Sequence, residues 1–129
     1  MKKPKIIFEI LKEDIGYSAY AKVKIGIIAT QGDTIEELKE MIVEATNLLF
    51  QDKNISYRID EVSLCLNLRV FFNHYKIINV KALSQRIGMN QTLLSQYIKG
   101  RKSPSLKQRQ RILDGVHKVA KELLELKFL

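Results

Sequence analysis

A chain of 129 residues is long enough for one ordinary domain or two small ones, and an apolar fraction of 46% excludes wholesale disorder. A single cysteine, Cys65, excludes an internal disulfide and points to a reducing cytosol. The net charge of +8 is unevenly spread: residues 1–60 hold nine Lys/Arg against ten Asp/Glu, and residues 61–129 hold thirteen against four.

The start, Met1-Lys2-Lys3-Pro4-Lys5, is basic, and Glu9 ends the apolar run that follows, far short of a signal-peptide core or a membrane span. Ile6 to Leu11 alternates as a strand, with Ile6, Phe8 and Ile10 on one face. Glu13-Asp14-Ile15-Gly16 carries turn chemistry, Tyr17 to Ile25 resumes a β-rich run, and Ile27 to Thr30 gives a third short strand after Gly26. Short connections predict an antiparallel meander. Thr34-Ile35-Glu36-Glu37 is a capping-box sequence, and Leu38, Met41, Ile42, Ala45, Leu48 and Leu49 follow at helical spacing to about Phe50. Ile55 to Ile59 reads as a fourth strand, and Asp60-Glu61 as a boundary between domains at 1–60 and 61–129. A unit of about sixty residues is marginal alone, so it should lean on its C-terminal half, a second copy or a partner.

The second half reads as helical throughout. Val62 to about Tyr75 sets Leu64, Leu68, Phe71 and Phe72 on one side, with Cys65 nearby as a small core residue. Val80 to Ile87 is a short helix ended by Gly88; Asn90 caps the next, from Gln91 to about Lys99, and Gly100 stops it. Ser103-Pro104 signals a last helix running towards Phe128. The fold class is α+β, a β-β-β-α-β module followed by an all-α domain.

The segment Leu83 to Gly100 has the grammar of a helix-turn-helix. Ser84 is small where two helices cross, and Gly88 can take the positive φ of a tight turn. Leu83, Ile87, Met89, Leu94 and Tyr97 supply apolar contacts that fix the angle. Gln91, Thr92, Ser95 and Gln96 share the opposite, polar face of the second helix. Gln pairs bidentately with adenine, and Thr and Ser reach base edges or phosphate. Asn90 and the helix N-terminus can hold a phosphate, with Lys99, Arg101 and Lys102 just beyond for backbone contacts. No acid stands between Val62 and Leu113, against ten basic residues, so nothing there repels phosphates. A solvated basic face on an ordinary helical hairpin is the plainer alternative, but small residue, glycine, cap, polar face and basic turn all agree on DNA.

From Leu83 to Ser105, closed by Lys99-Gly100-Arg101-Lys102-Ser103-Pro104-Ser105, the chain resembles the phage-repressor (XRE) class of helix-turn-helix domains. That resemblance implies a five-helix-type fold with Gln91 to Gln96 on the recognition helix; Leu93 and Ile98 are more apolar than that class usually shows. Gly16-Tyr17-Ser18-Ala19-Tyr20, then Gln31-Gly32-Asp33-Thr34-Ile35-Glu36-Glu37-Leu38 and on to Glu44-Ala45, resembles the HicB antitoxin family. The family joins a partial RNase H-like fold to a C-terminal DNA-binding domain, in the order seen here. The resemblance implies an antitoxin that occludes HicA, a small basic RNase toxin, and binds the operator of its own operon. Lys22-Val23-Lys24-Ile25-Gly26-Ile27-Ile28 stands where the family has a Pro-rich segment ending in Gly-Cys, which bears on partner choice. Glu13, Asp14, Glu36, Glu37 and Glu40 offer charge complementary to a basic toxin, although helix capping and a solvated face account better for Glu36 and Glu37.

A nuclease would need several converging carboxylates, and the strands carry Glu9 alone, with none from Tyr17 to Thr30. His74, His117 and Cys65 lack metal-ligand spacing, so neither enzyme activity nor a metal or other cofactor is expected. Ile112, Val116, Val119, Leu123 and Leu126, spaced 4, 3, 4, 3, form a short heptad stripe. Part of it closes the helical core, and its end is expected to join two copies, as a homodimer or higher oligomer. The rival reading is a stand-alone regulator whose N-terminal module senses a small ligand.

Overall fold

The computed structural model describes residues 3–129; Met1 and Lys2 of the basic start lie outside the described residues. The chain is mixed α+β, with a four-stranded sheet and five α-helices among those residues. It divides into two compact units, the first ending at Val70 and the second running from Phe71 to Leu129.

In the first unit β1 (Ile7–Lys12), β2 (Tyr17–Val23) and β3 (Gly26–Gly32) form the expected antiparallel meander. Helix α1 (Ile35–Leu49) follows, its Thr34 cap accepting a hydrogen bond from the Glu37 N–H at 3.0 Å. Alternation decides the faces. Ile6, Phe8 and Ile10 are buried with Ala19, Ala21 and Ile28, and Ile35, Leu38 and Ile42 of α1 complete the same core. Full burial of side chains of this size stabilises by about 1.5–3 kcal/mol each, so the sheet and its one helix carry the unit.

The fourth strand is not where periodicity put it. Ile55–Ile59 is not part of the sheet, and at its centre a side chain takes the place of a neighbouring strand for Tyr57. Asn47 Oδ1 accepts from the Tyr57 N–H at 2.6 Å, and Asn47 Nδ2 donates to the Tyr57 carbonyl at 3.2 Å. The Tyr57 hydroxyl donates to the Pro4 carbonyl at 2.7 Å, and its ring lies against Phe50. Burial, then the Glu61 carboxylate, raises the Tyr57 phenol above its ordinary value. The hydrogen bond from Lys3, then that from the Arg58 N–H, hold the Glu61 carboxyl below the usual range. A depressed folded pKa means that this contact stabilises above the unfolded value and is lost as pH falls through the folded one.

The sheet is completed by β4 (Ser63–Leu66), parallel to β1, giving the order β3-β2-β1-β4. This corrects the expected helix over Val62–Tyr75: only α2 (Leu68–His74) is helical there, with the Asn67 side chain accepting from the Val70 N–H at 2.8 Å. The boundary therefore falls after Val70 rather than at residue 60, because the strand that finishes the sheet lies beyond Asp60. Cys65 is corrected with it. On a strand, Leu64 and Leu66 turn inward while Cys65 points outward, exposed rather than in the core.

The second unit contains α3 (Val80–Ile87), α4 (Gln91–Ile98) and α5 (Leu106–Leu124). Leu83, Leu94 and Ile112 are the buried apolar side chains of these helices, with Met89 buried in the turn between α3 and α4 and Ser84 the buried polar one. Helix α5 starts later than Ser103-Pro104, since Ser105 is the residue whose hydroxyl accepts from the Gln108 N–H at 3.2 Å. It ends at Leu124, short of Phe128.

Asn47→Ala should leave the buried Tyr57 backbone groups without partners and cost about 1–3 kcal/mol. A thermal unfolding curve of the full chain should show the fall in midpoint, and an unchanged midpoint would mean that water replaces the carboxamide.

Candidate nucleic-acid interface

The site is built on the α3–α4 junction. Asn79 caps α3 by accepting from the Ala82 N–H at 2.9 Å. Gly88 ends it with φ 66°, in the left-handed region that costs other residues about 1–2 kcal/mol. The Gly88 N–H reaches the Gln85 carbonyl and the Met89 N–H the Ser84 carbonyl at 2.9 Å, which satisfies the last carbonyls of the helix and turns the chain. Asn90 then opens α4, its Oδ1 accepting from Thr92 N–H at 2.8 Å and Leu93 N–H at 3.2 Å. The same bonding closes α4: the Gly100 N–H reaches the Tyr97 carbonyl and the Arg101 N–H the Gln96 carbonyl at 2.9 Å. That fold-back brings Arg101 beside the helix it follows.

Gln91, Thr92, Ser95, Gln96, Lys99 and Arg101 together line one open, polar depression of about 380 Å³. Gln91, Thr92, Lys99 and Arg101 are exposed, and Ser95 and Gln96 half-buried. On the opposite side of α4, Leu94 is fully buried, while Leu93, Tyr97 and Ile98 are half-buried. Two of the sequence-predicted residues stand apart. Lys102 is exposed but does not line the depression, and the Asn90 carboxamide oxygen is occupied as a cap. The arrangement offers amides and hydroxyls on one helix face with two cations at its end. That is hydrogen-bonding and charge chemistry, with no nucleophile–base pair in it. Among the described residues no group of three or more His, Cys, Asp or Glu stands ready to hold a metal ion.

Two residues that hold the site together went unread in the sequence. The Arg111 guanidinium donates from Nη2 to the Ile87 and Gly88 carbonyls, both at 2.7 Å, and from Nε to Ile87 at 3.1 Å. It ties α5 to the turn that sets α4. Gly115 lets α5 approach α3, because a Cβ there would run into Ile87 Cγ2. A glycine in a helix interior costs about 1 kcal/mol against alanine, and that misplaced residue was the available signal for a close approach. Nothing local marks Arg111.

The expected stripe on α5 divides. Ile112 is only 2% exposed and belongs to the unit's own core rather than to a surface for a second copy. Leu126 lies past the helix end, so it no longer shares a helical face with the others. Val116, Val119 and Leu123 remain, lining an apolar groove of about 410 Å³ with Ile77, Ala82 and Leu83.

No protein-family model matches the chain, and no curated protein matches it. No helix among the described residues is long and apolar enough to cross a membrane.

Arg111→Met should remove three charge-assisted bonds from the turn and lower stability by about 1.5–3 kcal/mol. Arg109→Met, on an exposed neighbour, should change little. Comparison of the two melting curves tests the latch, and equal curves would refute it.

Proposed function

We propose that the chain is a non-enzymatic antitoxin and autorepressor, which neutralises a HicA-like RNase toxin with its first unit and binds operator DNA with its second. The observation that carries the DNA half is the gathering of Gln91, Thr92, Ser95 and Gln96 of α4 with Lys99 and Arg101 just beyond it around one depression. In this reading α3 and α4 are a helix-turn-helix of the XRE kind and α4 is the recognition helix. Its N-terminus and neutral side chains enter the major groove, where Gln91 and Gln96 read base edges. Lys99, Arg101 and Lys102 take the phosphates on either side. Two copies joined along Val116, Val119 and Leu123 would present two such helices to a palindromic site, about 34–36 Å apart.

The toxin half rests on the HicB resemblance of residues 16–45, together with the β-β-β-α-β order of the first unit. The acids of that unit, Glu13, Asp14 and Glu40 among them, are exposed and suit a basic partner. The protein would act in the cytoplasm, where both the toxin and the operator are.

Gln91→Ala with Gln96→Ala should weaken operator binding about 10- to 100-fold and leave binding to scrambled DNA unchanged, because the residues lost read bases. Lys102→Gln should weaken both alike and reduce the slope of log K against log salt by about 1. Fluorescence anisotropy across a salt series separates these cases, and equal affinity of the wild type for both DNAs would refute specific readout.

Co-expression with the small reading frame beside the gene tests the antitoxin. Growth should be rescued by the full chain and by residues 1–70, the cut that keeps β4 in the sheet. A neighbour without toxicity, with operator release on adding a small ligand, would favour a ligand-sensing regulator instead.

A further inference from the structure

Strand β3 is the outer strand of the sheet, and among the described residues only β2 pairs with it. Sheet edges of natural proteins are blunted by charges, prolines, bulges or shortness. This edge has none of these. Gly26-Ile27-Ile28-Ala29-Thr30-Gln31-Gly32 is seven residues long, uncharged and proline-free, and each residue pairs one-to-one with β2. Its opposite number, β4, is a four-residue edge.

The register says which groups are free to pair. Val23 and Gly26 flank the two-residue turn Lys24-Ile25, so they form the hydrogen-bonded pair that closes the hairpin. Bonded and non-bonded pairs alternate from there, which turns the N–H and C=O of Ile27, Ala29 and Gln31 away from β2. All three residues are exposed, Ile27 at 58%.

We infer that this edge is a self-pairing surface and that its occupant is β3 of a second copy, antiparallel, about a two-fold axis at Ala29. Ala29 is the middle residue of β3. Centring the axis there sets Ile27 opposite Gln31 of the second copy and Ala29 opposite Ala29, so every outward group finds a partner. The charges at the two ends agree. Antiparallel pairing sets the end of β3 that adjoins the Lys24-Ile25 turn beside the end of the second copy's β3 that Asp33 follows, so a cation and a carboxylate flank each end, and symmetry repeats the arrangement. A parallel pairing would bring Lys24 to Lys24 and Asp33 to Asp33. The result is one eight-stranded sheet, and the interface is distinct from the α5 groove and independent of what the protein binds.

Sedimentation equilibrium of the full chain under reducing conditions tests this. Ala29→Pro removes the central outward N–H while leaving the β2–β3 ladder whole, since edge strands accept proline where the N–H faces solvent. Its mass should be half that of the wild type, at an unchanged circular dichroism spectrum; equal masses overturn the proposal. Leu123→Glu, in the other unit, should leave the β3-linked dimer, and a monomer would overturn it. Should Ala29→Pro fold poorly, a disulfide test replaces it. In a Cys65→Ser background, Ala29→Cys should give a linked dimer on mild oxidation, because bonded antiparallel pairs sit about 5.5 Å apart at Cα. Gln31→Cys, far from its own copy, should not. Equal linking by the two overturns the pairing, as does a wild type that is monomeric, which would leave the edge to a partner's strand.

Discussion

Three hydrogen bonds from one guanidinium hold the second unit's geometry. The Ile87 and Gly88 carbonyls lie at the end of α3, where a helix runs out of its own donors, and Arg111 of α5 supplies them. The turn is thereby fixed from outside as well as by its own backbone bonds. Since α4 begins at Gln91, three residues beyond Gly88, whatever orients this turn orients the polar face that follows. Gly115 serves the same end from the other direction, by allowing α5 close enough to α3 for Arg111 to reach. The site is thus a property of three helices, although all its side chains come from α4 and the turn after it.

The first unit answers a different constraint, the need to satisfy a central strand. β1 pairs with β2 over Glu9–Lys12 and with β4 over Ile7–Ile10, so its middle is held from both sides while its side chains alternate between core and surface. Supplying β4 requires the chain to leave α1, pass Tyr57 and come back parallel to β1. Asn47 makes that passage possible by serving as a surrogate strand for Tyr57, offering one acceptor and one donor in place of a neighbouring backbone.

These long-range dependencies mark what sequence can and cannot convey. The alternation of Ile6, Phe8 and Ile10, the Thr34 cap and the bounds of α3 are local, and each was legible from residues within one turn or strand. So was the shared face of Gln91, Thr92, Ser95 and Gln96, because helical spacing alone fixes which positions of α4 lie together, whereas the fold-back after α4 brings Arg101 beside them. Ser63–Leu66 was not. Leu64, Leu68, Phe71 and Phe72 satisfy a helical period, while Val62, Leu64 and Leu66 satisfy a period of two, and the open side of β1, more than fifty residues earlier, decides between them. Ile55–Ile59 is the converse case, a run with strand-forming residues in which the Tyr57 backbone is bonded by a side chain instead of a strand. The α5 stripe misled in another way: its spacing is real, but periodicity does not say which of its members the chain covers itself, and Ile112 is covered.

A neutral polar face set in a basic, acid-free stretch would, in the proposed operator complex, separate two tasks that are often confounded. For the proposed operator complex, Lys99, Arg101 and Lys102 supply attraction that is blind to sequence and weakens as salt displaces it. Gln91, Thr92, Ser95 and Gln96 add no charge, so they contribute only where donors and acceptors match, and a mismatch leaves them desolvated and unpaired. Discrimination then rests on the angle at which α4 is held, because bidentate amide pairing tolerates little rotation. That returns the burden to the Gly88 turn and its arginine.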